Sequence, residues 1–264
     1  MRGQTIIFSN QKGGVGKTTL TRELGVYVSS LGFKVLFVDC DPQGNLTKSL
    51  VEEQYGGLYE ALSEHDIRPI ELDDQLCLLC GDYRLALLEK SLIGEIDAYT
   101  RLRDLFSDPV FGNFQYIFLD TPPSLGLLTV NALASARHLV IPMNPSLYSM
   151  QGTNDLLRTV SKVRGNLNPE LSLLGVIINA YDGIPVISRQ IREEILQAFG
   201  EKVFSAVLSK SIKLEEAIAM KRGVIYHTRL EKSRAKREVS LLGEELLSRL
   251  DGAAHREESH GSVR

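Results

Sequence analysis

The stretch NQKGGVGKTT, Asn10 to Thr19, follows a short apolar run (TIIFS, 5–9) and precedes apolar residues at Leu20, Leu24, Tyr27 and Leu31. That spacing predicts a helix, and the run before it is short enough to be a buried strand. A glycine-rich turn between strand and helix is where backbone N–H groups converge on phosphate oxygens. Gly13, Gly14 and Gly16 put no Cβ in the way, and the helix starting near Lys17 adds the positive end of its dipole. In such a loop, which here includes Val15, Lys17 reaches the β- and γ-phosphates, Thr18 offers its hydroxyl to Mg²⁺ and Thr19 bonds the α-phosphate. Lys12 is a second lysine in the same loop, and on residue type alone it is an exposed lysine beside the site.

The pattern repeats outward from this unit. KVLFVD (34–39), LCLLC (76–80), YIFLD (116–120), HLVIPM (138–143), LLGVIIN (173–179) and VFSAVL (203–208) read as buried strands. Helical patterns lie between them, such as Ile187, Ile191, Ile195 and Phe199. This alternation predicts an α/β fold: a mostly parallel twisted sheet with helices on both faces and ligands at the carboxyl ends of its strands. One domain is expected over residues 1–250, with 251–264 (DGAAHREESHGSVR) as a polar, flexible tail.

With 264 residues, 43% of them hydrophobic and a net charge of -3, the chain can bury a full core and is not coated in basic charge. No apolar run approaches the roughly 18 residues a membrane span needs, so a cytoplasmic protein is expected. Cys77 and Cys80 form a C-x-x-C, but no second Cys/His pair completes a zinc set, and their apolar neighbours favour a buried strand.

The phosphate loop departs from G-x-x-x-x-G-K-T at Gln11 and Lys12, and KGGVGKTT resembles the deviant loop of the MinD/ParA group of ATPases. FVDCDPQGNLT is similar to the D-x-D-P-Q-G-N segment of the ParA branch, YIFLDTPPSLGLLTVNAL to its Walker B strand and continuation. PSLYSMQGTNDLL and SIKLEEAIAMKRGVIYH extend the likeness over most of residues 4–248, most weakly between about 50 and 110. The resemblance implies that Lys12 reaches across an ATP-bound homodimer to the partner's phosphates. It makes Asp41 the residue that positions the attacking water, and places Asp39 with Thr18 and Asp120 around Mg²⁺. A carboxylate closing an apolar strand, as Asp120 does, is well placed for that ion. Asn179 stands where related ATPases turn a side-chain amide to the adenine, and operator reading through a helix-turn-helix extension like that of larger plasmid members is not expected.

Residues 210–237 carry nine Lys/Arg against three Glu, a local charge of +6 within the total of -3. A charge run is usually a solvated face. Here it coincides with the family's region for sequence-independent DNA binding, with Lys210, Lys213, Lys221, Arg222 and Arg234 as candidate contacts. Relatives commonly read A-P-S-x-G-x-P where this chain has AIAMKRG. The resemblance thus implies an ATPase that dimerises on ATP, holds nucleoid DNA and is stimulated by a ParB-like adaptor on a plasmid, chromosome or other cargo. A MinD-like membrane-associated ATPase is the alternative, and it needs a lipid-binding amphipathic C-terminal helix. A nitrogenase-iron-protein-like electron carrier would need cysteines that bridge a cluster.

Overall fold

The computed structural model describes residues 3–52, 57–146, 149–182, 186–226 and 233–261. Its strands are β1 (Gln4–Phe8), β2 (Val35–Asp39), β3 (Ile70–Asp73), β4 (Leu76–Leu79), β5 (Tyr116–Asp120), β6 (His138–Met143), β7 (Ser172–Tyr181) and β8 (Leu208–Ser209). They form one sheet in the order β3-β4-β2-β5-β1-β6-β7-β8, parallel throughout except for β3 against β4.

The two-residue period of an extended chain sorts the strand side chains between the two faces. Ile7, Leu36, Val38, Ile117 and Leu119 pack on one face. That face is covered by α3 (Leu58–Glu64), α4 (Arg84–Ser91), α5 (Arg101–Leu105), α6 (Leu127–Ser135), α7 (Ser149–Asn166) and α8 (Val186–Phe199). Ile6, Phe8, Val35, Phe37 and Phe118 face the other way, under α1 (Lys17–Ser30), α2 (Asn45–Lys48), α9 (Ile212–Ala219) and α10 (Arg234–Gly261). Strands buried on both faces read as continuous apolar runs, which is why they stand out in the sequence. Gly25 lets α1 lie directly on the sheet, since a methyl group there would collide with the Phe37 ring.

Three segments differ from the sequence reading. The run at 203–208 is not a full strand: Val203 makes a single bridge to Val176, and only Leu208 and Ser209 pair with β7. The N–H groups of Ser205 and Ala206 donate instead to the Glu245 carboxylate of α10, so a side chain takes the donors a sheet neighbour would have used. The antiparallel edge strand β3 is short and half polar, and its apolar signal is correspondingly weak. The helix expected to end near residue 250 continues to Gly261. Residues 251–261 include Ala, Arg and Glu and no proline, and extending an existing helix carries no nucleation cost.

His138 is buried in β6, with Nε2 2.7 Å from Gln4 Oε1. Burial first, and then the neighbouring Arg137 charge, hold its pKa down from 6.5 to about 4. The folded state therefore keeps it neutral, and its contribution to stability is present above the unfolded pKa and lost as pH falls from 6.5 to about 4. An NMR titration of the histidine C2 protons should place its midpoint well below those of exposed histidines.

Candidate active site

The loop between β1 and α1 is stapled by three asparagine amides. Asn10 Nδ2 donates to Pro142 O at 2.8 Å, Asn144 Nδ2 to Gly14 O at 3.0 Å and Asn179 Nδ2 to Val15 O at 2.8 Å. In a trans peptide the N–H lies opposite the preceding C=O, so fixing these two loop carbonyls turns the N–H groups of Val15 and Gly16 away from the amides. Gly14 and Gly16 have φ of +72° and +89°, and a Cβ on Gly16 would strike the Asn179 amide. Asn179, expected at the adenine, thus has one amide hydrogen engaged in holding the phosphate loop. Asn10 and Asn144 carried no signal of this role, because their partners are distant backbone carbonyls.

Lys17, the first residue of α1, is 7% exposed and its Nζ curls over the loop to Lys12 O at 3.4 Å. Burial lowers its pKa, while the Asp120 and Asp41 carboxylates pull it back up. Lys12 behaves differently. It is partly exposed, and its Nζ donates to Ser146 Oγ at 2.5 Å on the loop after β6. The structure therefore separates the two lysines, one over the loop and one at its rim.

Thr18 Oγ1 donates to Asp120 Oδ2 at 2.6 Å, while Asp120 Oδ1 is buried with no hydrogen-bond partner. Burial and the neighbouring Asp39 charge push the Asp120 pKa up, since the two carboxylates lie side by side in the β2–β5 register. A hydroxyl beside a carboxylate with one unengaged oxygen fits Mg²⁺, an ion held through one or two carboxylates plus substrate phosphates and water. Among the described residues no group of three or more His, Cys, Asp or Glu could hold a metal ion.

Asp39, expected in that shell, has both oxygens engaged by protein donors. Thr47 N and Oγ1 donate to Oδ2 at 2.8 and 2.7 Å, and Asp41 N donates to Oδ1 at 3.2 Å. Burial raises its pKa to about 6 against the opposing pull of these bonds. Thr47 Oγ1 also accepts from Gly81 N at 2.9 Å, so one hydroxyl ties β2, α2 and the end of β4 together. The strand ends at Asp39, so Asp41 lies beyond it and the two carboxylates are not held by one extended strand. Asp41 sits in a turn closed by Gly44 N on its carbonyl, with Oδ1 accepting from Gln43 N at 2.9 Å.

The basic segment is less free than its sequence suggests. Lys213 pairs with Glu216 and Arg234 with Glu238, each at 2.7 Å, while Lys221 donates to Val51 O at 2.5 Å from a left-handed backbone. Lys210 and Arg222 are exposed; Arg229, Glu231 and Lys232 lie outside the described residues. The segment is fastened to α1 from inside: buried Arg22 donates to Ala217 O at 3.1 Å and to its neighbour Glu23, whose other oxygen accepts from Val224 N at 2.8 Å. Cys77 packs toward one sheet face and Cys80 toward the other, and burial pushes the Cys80 thiol up to about 12. Thiols on opposite faces cannot share a metal or a cluster.

The chain matches a family model described as an AAA domain over residues 3–173. It is 38% identical over 226 residues to the chromosome-partitioning ATPase Soj of Thermus thermophilus, covering 84% of this chain and 87% of that protein. It is 34% identical over 255 residues to the chromosome partitioning protein ParA of Myxococcus xanthus, covering 94% and 89%. Among solved structures, cobyrinic acid a,c-diamide synthase from Mycobacterium smegmatis with a bound ATP analog and magnesium superposes with a TM-score of 0.80 at 27% identity, over 93% of this chain and 94% of that one. A shared phosphate loop alone would not produce identity this high across nearly the whole chain, including the segments that carry Asp41, Thr47 and Asp120, and on that extent the chain belongs to the Soj/ParA family of chromosome-partitioning ATPases.

Proposed function

We propose that this chain hydrolyses ATP to ADP and phosphate with Mg²⁺ and forms an ATP-dependent sandwich dimer. In that state it holds DNA without sequence preference, until a ParB-like adaptor stimulates hydrolysis. The observation that supports the reading is the different placement of the two lysines: Lys17 is buried over its own loop, whereas Lys12 is partly exposed and its Nζ bonds Ser146 on the loop after β6. Thr18 and Asp120 hold the metal, which when bound neutralises charge on the phosphates. Asp41 orients the attacking water. Orientation suits it better than proton abstraction, because a carboxylate is a weak base at neutral pH and the transition state of phosphoryl transfer is loose.

Lys12→Ala should bind nucleotide as a monomer but fail to dimerise, and analytical ultracentrifugation with a nonhydrolysable ATP analogue checks this. Normal dimerisation of that variant would return Lys12 to an ordinary surface lysine. The hydrogen bond to Ser146 must be released before Lys12 can cross to a partner, so Ser146→Ala should dimerise at least as readily as the wild type.

DNA binding is favoured over membrane binding by the packing of α10. Val239, Leu242, Leu246 and Leu250 are buried in the core, which leaves Leu241 exposed on that part of the helix but no continuous apolar face for lipid. No helix among the described residues is long and apolar enough to cross a membrane. Each phosphate neutralised steepens the fall of log K with log salt by about 0.9. Removing Lys210 and Arg222, two exposed members of the basic set, should flatten that slope and weaken binding to all sequences alike. Lys213, Lys221 and Arg234 should contribute less, because each already has a protein partner.

A further inference from the structure

Residues 121–126 lead from Asp120, at the end of β5, to the start of α6. This loop is fastened at its near end to β1, where Thr121 Oγ1 donates to Phe8 O at 2.8 Å. It then passes beside the phosphate loop, with Pro123 Cβ 3.9 Å from the place a Cβ on Gly13 would occupy. Its far end is held from another helix: Glu89 Oε1 on α4 accepts from the N–H of Leu127, the first residue of α6, at 2.7 Å.

A side chain at the N-cap usually satisfies one of a helix's first N–H groups. Here the N-cap is Gly126, whose φ of -76° is open to any residue, so the backbone itself does not call for glycine. The constraint is space: a Cβ on Gly126 would come within 2.5 Å of Glu89 Oε1. The missing side chain admits the carboxylate from α4, and that carboxylate replaces the cap, at the positive end of the helix dipole. The body of α6 is held separately by Asn131, which accepts from Leu102 N at 3.2 Å and donates to Ala98 O at 2.6 Å. Glu89 therefore governs the first turn of α6 and the loop before it. The other end of α4 is tied to the second carboxylate of the site, since Gly81, just before the helix, donates to the Thr47 hydroxyl that bonds Asp39. We infer that Glu89 is a positioning residue for ATP hydrolysis: it holds the first N–H of α6 and so keeps the 121–126 loop against the phosphate loop, with Asp120 at its base. It acts through that loop and not on the nucleotide. The inference rests on the reading of this chain as an ATPase and on nothing about DNA or an adaptor.

Turnover rate and affinity for a nonhydrolysable ATP analogue, both measured on the full chain, provide the test. Glu89→Ala should lower the rate about 10-fold, less than the roughly 100-fold that a misplacement of about 1 Å can cost, and change the affinity far less. Glu89→Gln keeps an acceptor oxygen at the same reach and should recover most of the rate. Amide hydrogen exchange at Leu127 should quicken in Glu89→Ala and stay slow in Glu89→Gln. Gly126→Ala reaches the same hydrogen bond without touching Glu89. Its methyl group displaces the carboxylate, so it should slow an otherwise wild-type chain and add little to Glu89→Ala, where that space is open. A Glu89→Ala variant of full activity overturns the inference, as do equal losses of rate and affinity in that variant. So does a Glu89→Gln variant as slow as Glu89→Ala, or a double variant in which the two losses simply multiply. A wild type that hydrolyses no ATP would overturn the ATPase reading as well.

Discussion

Lys17→Ala is expected to weaken ATP binding about 10²-fold or more. Its ammonium is the buried cation over the loop, and truncating one member of a desolvated, hydrogen-bonded charge pair costs about 2–5 kcal/mol, where each 1.4 is tenfold. Asp120→Asn should lose Mg²⁺-dependent tightening of that binding by a similar factor. The same substitution should raise the melting temperature of the nucleotide-free protein. Asp120 is buried beside Asp39 with one oxygen unpartnered, so its carboxylate costs the folded state stability, and an amide removes the charge while still accepting from Thr18. The expected shift is about 2–4 °C for each kcal/mol relieved. Isothermal titration with and without Mg²⁺, together with thermal melts, measures both effects. A variant that melts lower and still binds Mg·ATP tightly would make Asp120 a structural residue.

The second large effect concerns Thr47, which touches no reacting atom and acts through Asp39 and Asp41. Thr47→Val removes a hydroxyl that donates to Asp39 and accepts from Gly81, leaving a buried carboxylate short of one donor and a buried N–H without its acceptor. The cost to stability is about 1–3 kcal/mol. The turnover rate should fall about 10- to 100-fold while ATP affinity changes only a few-fold, because the damage is to the turn that carries Asp41 and not to the phosphate loop. Thr47→Ser should restore the rate. Asp41→Ala should share this kinetic signature and trap the ATP-bound dimer. Loss of rate in Thr47→Ser with none in Thr47→Val would show that the methyl group's packing, not the hydroxyl, is what matters.

The sequence by itself determined the sheet's inner strands and the phosphate loop. Both are local: a strand buried on two faces must be apolar throughout, as in VLFV and YIFL, and a loop that brings backbone to phosphate must be glycine-rich and followed by Lys and Thr. The tertiary structure decided how those groups are held and which charges are free. Asn10, Asn144 and Asn179 become loop staples only because β6 and β7 lie beside β1 or one another in the sheet. Asp39 is taken up by Thr47 because the chain turns back at Gly44, and VFSAVL loses most of its strand because Glu245, some 40 residues on, reaches its N–H groups. Arg22 and Glu23, adjacent charges on α1, are both buried, paired with each other and bonded to the basic segment. Composition can count the charges of that segment, but which of them face water is set by partners distant in sequence, such as Val51 for Lys221. Hydrophobic patterning reports burial through its period, whereas a polar side chain's role depends on a single partner, and that partner is chosen by the fold.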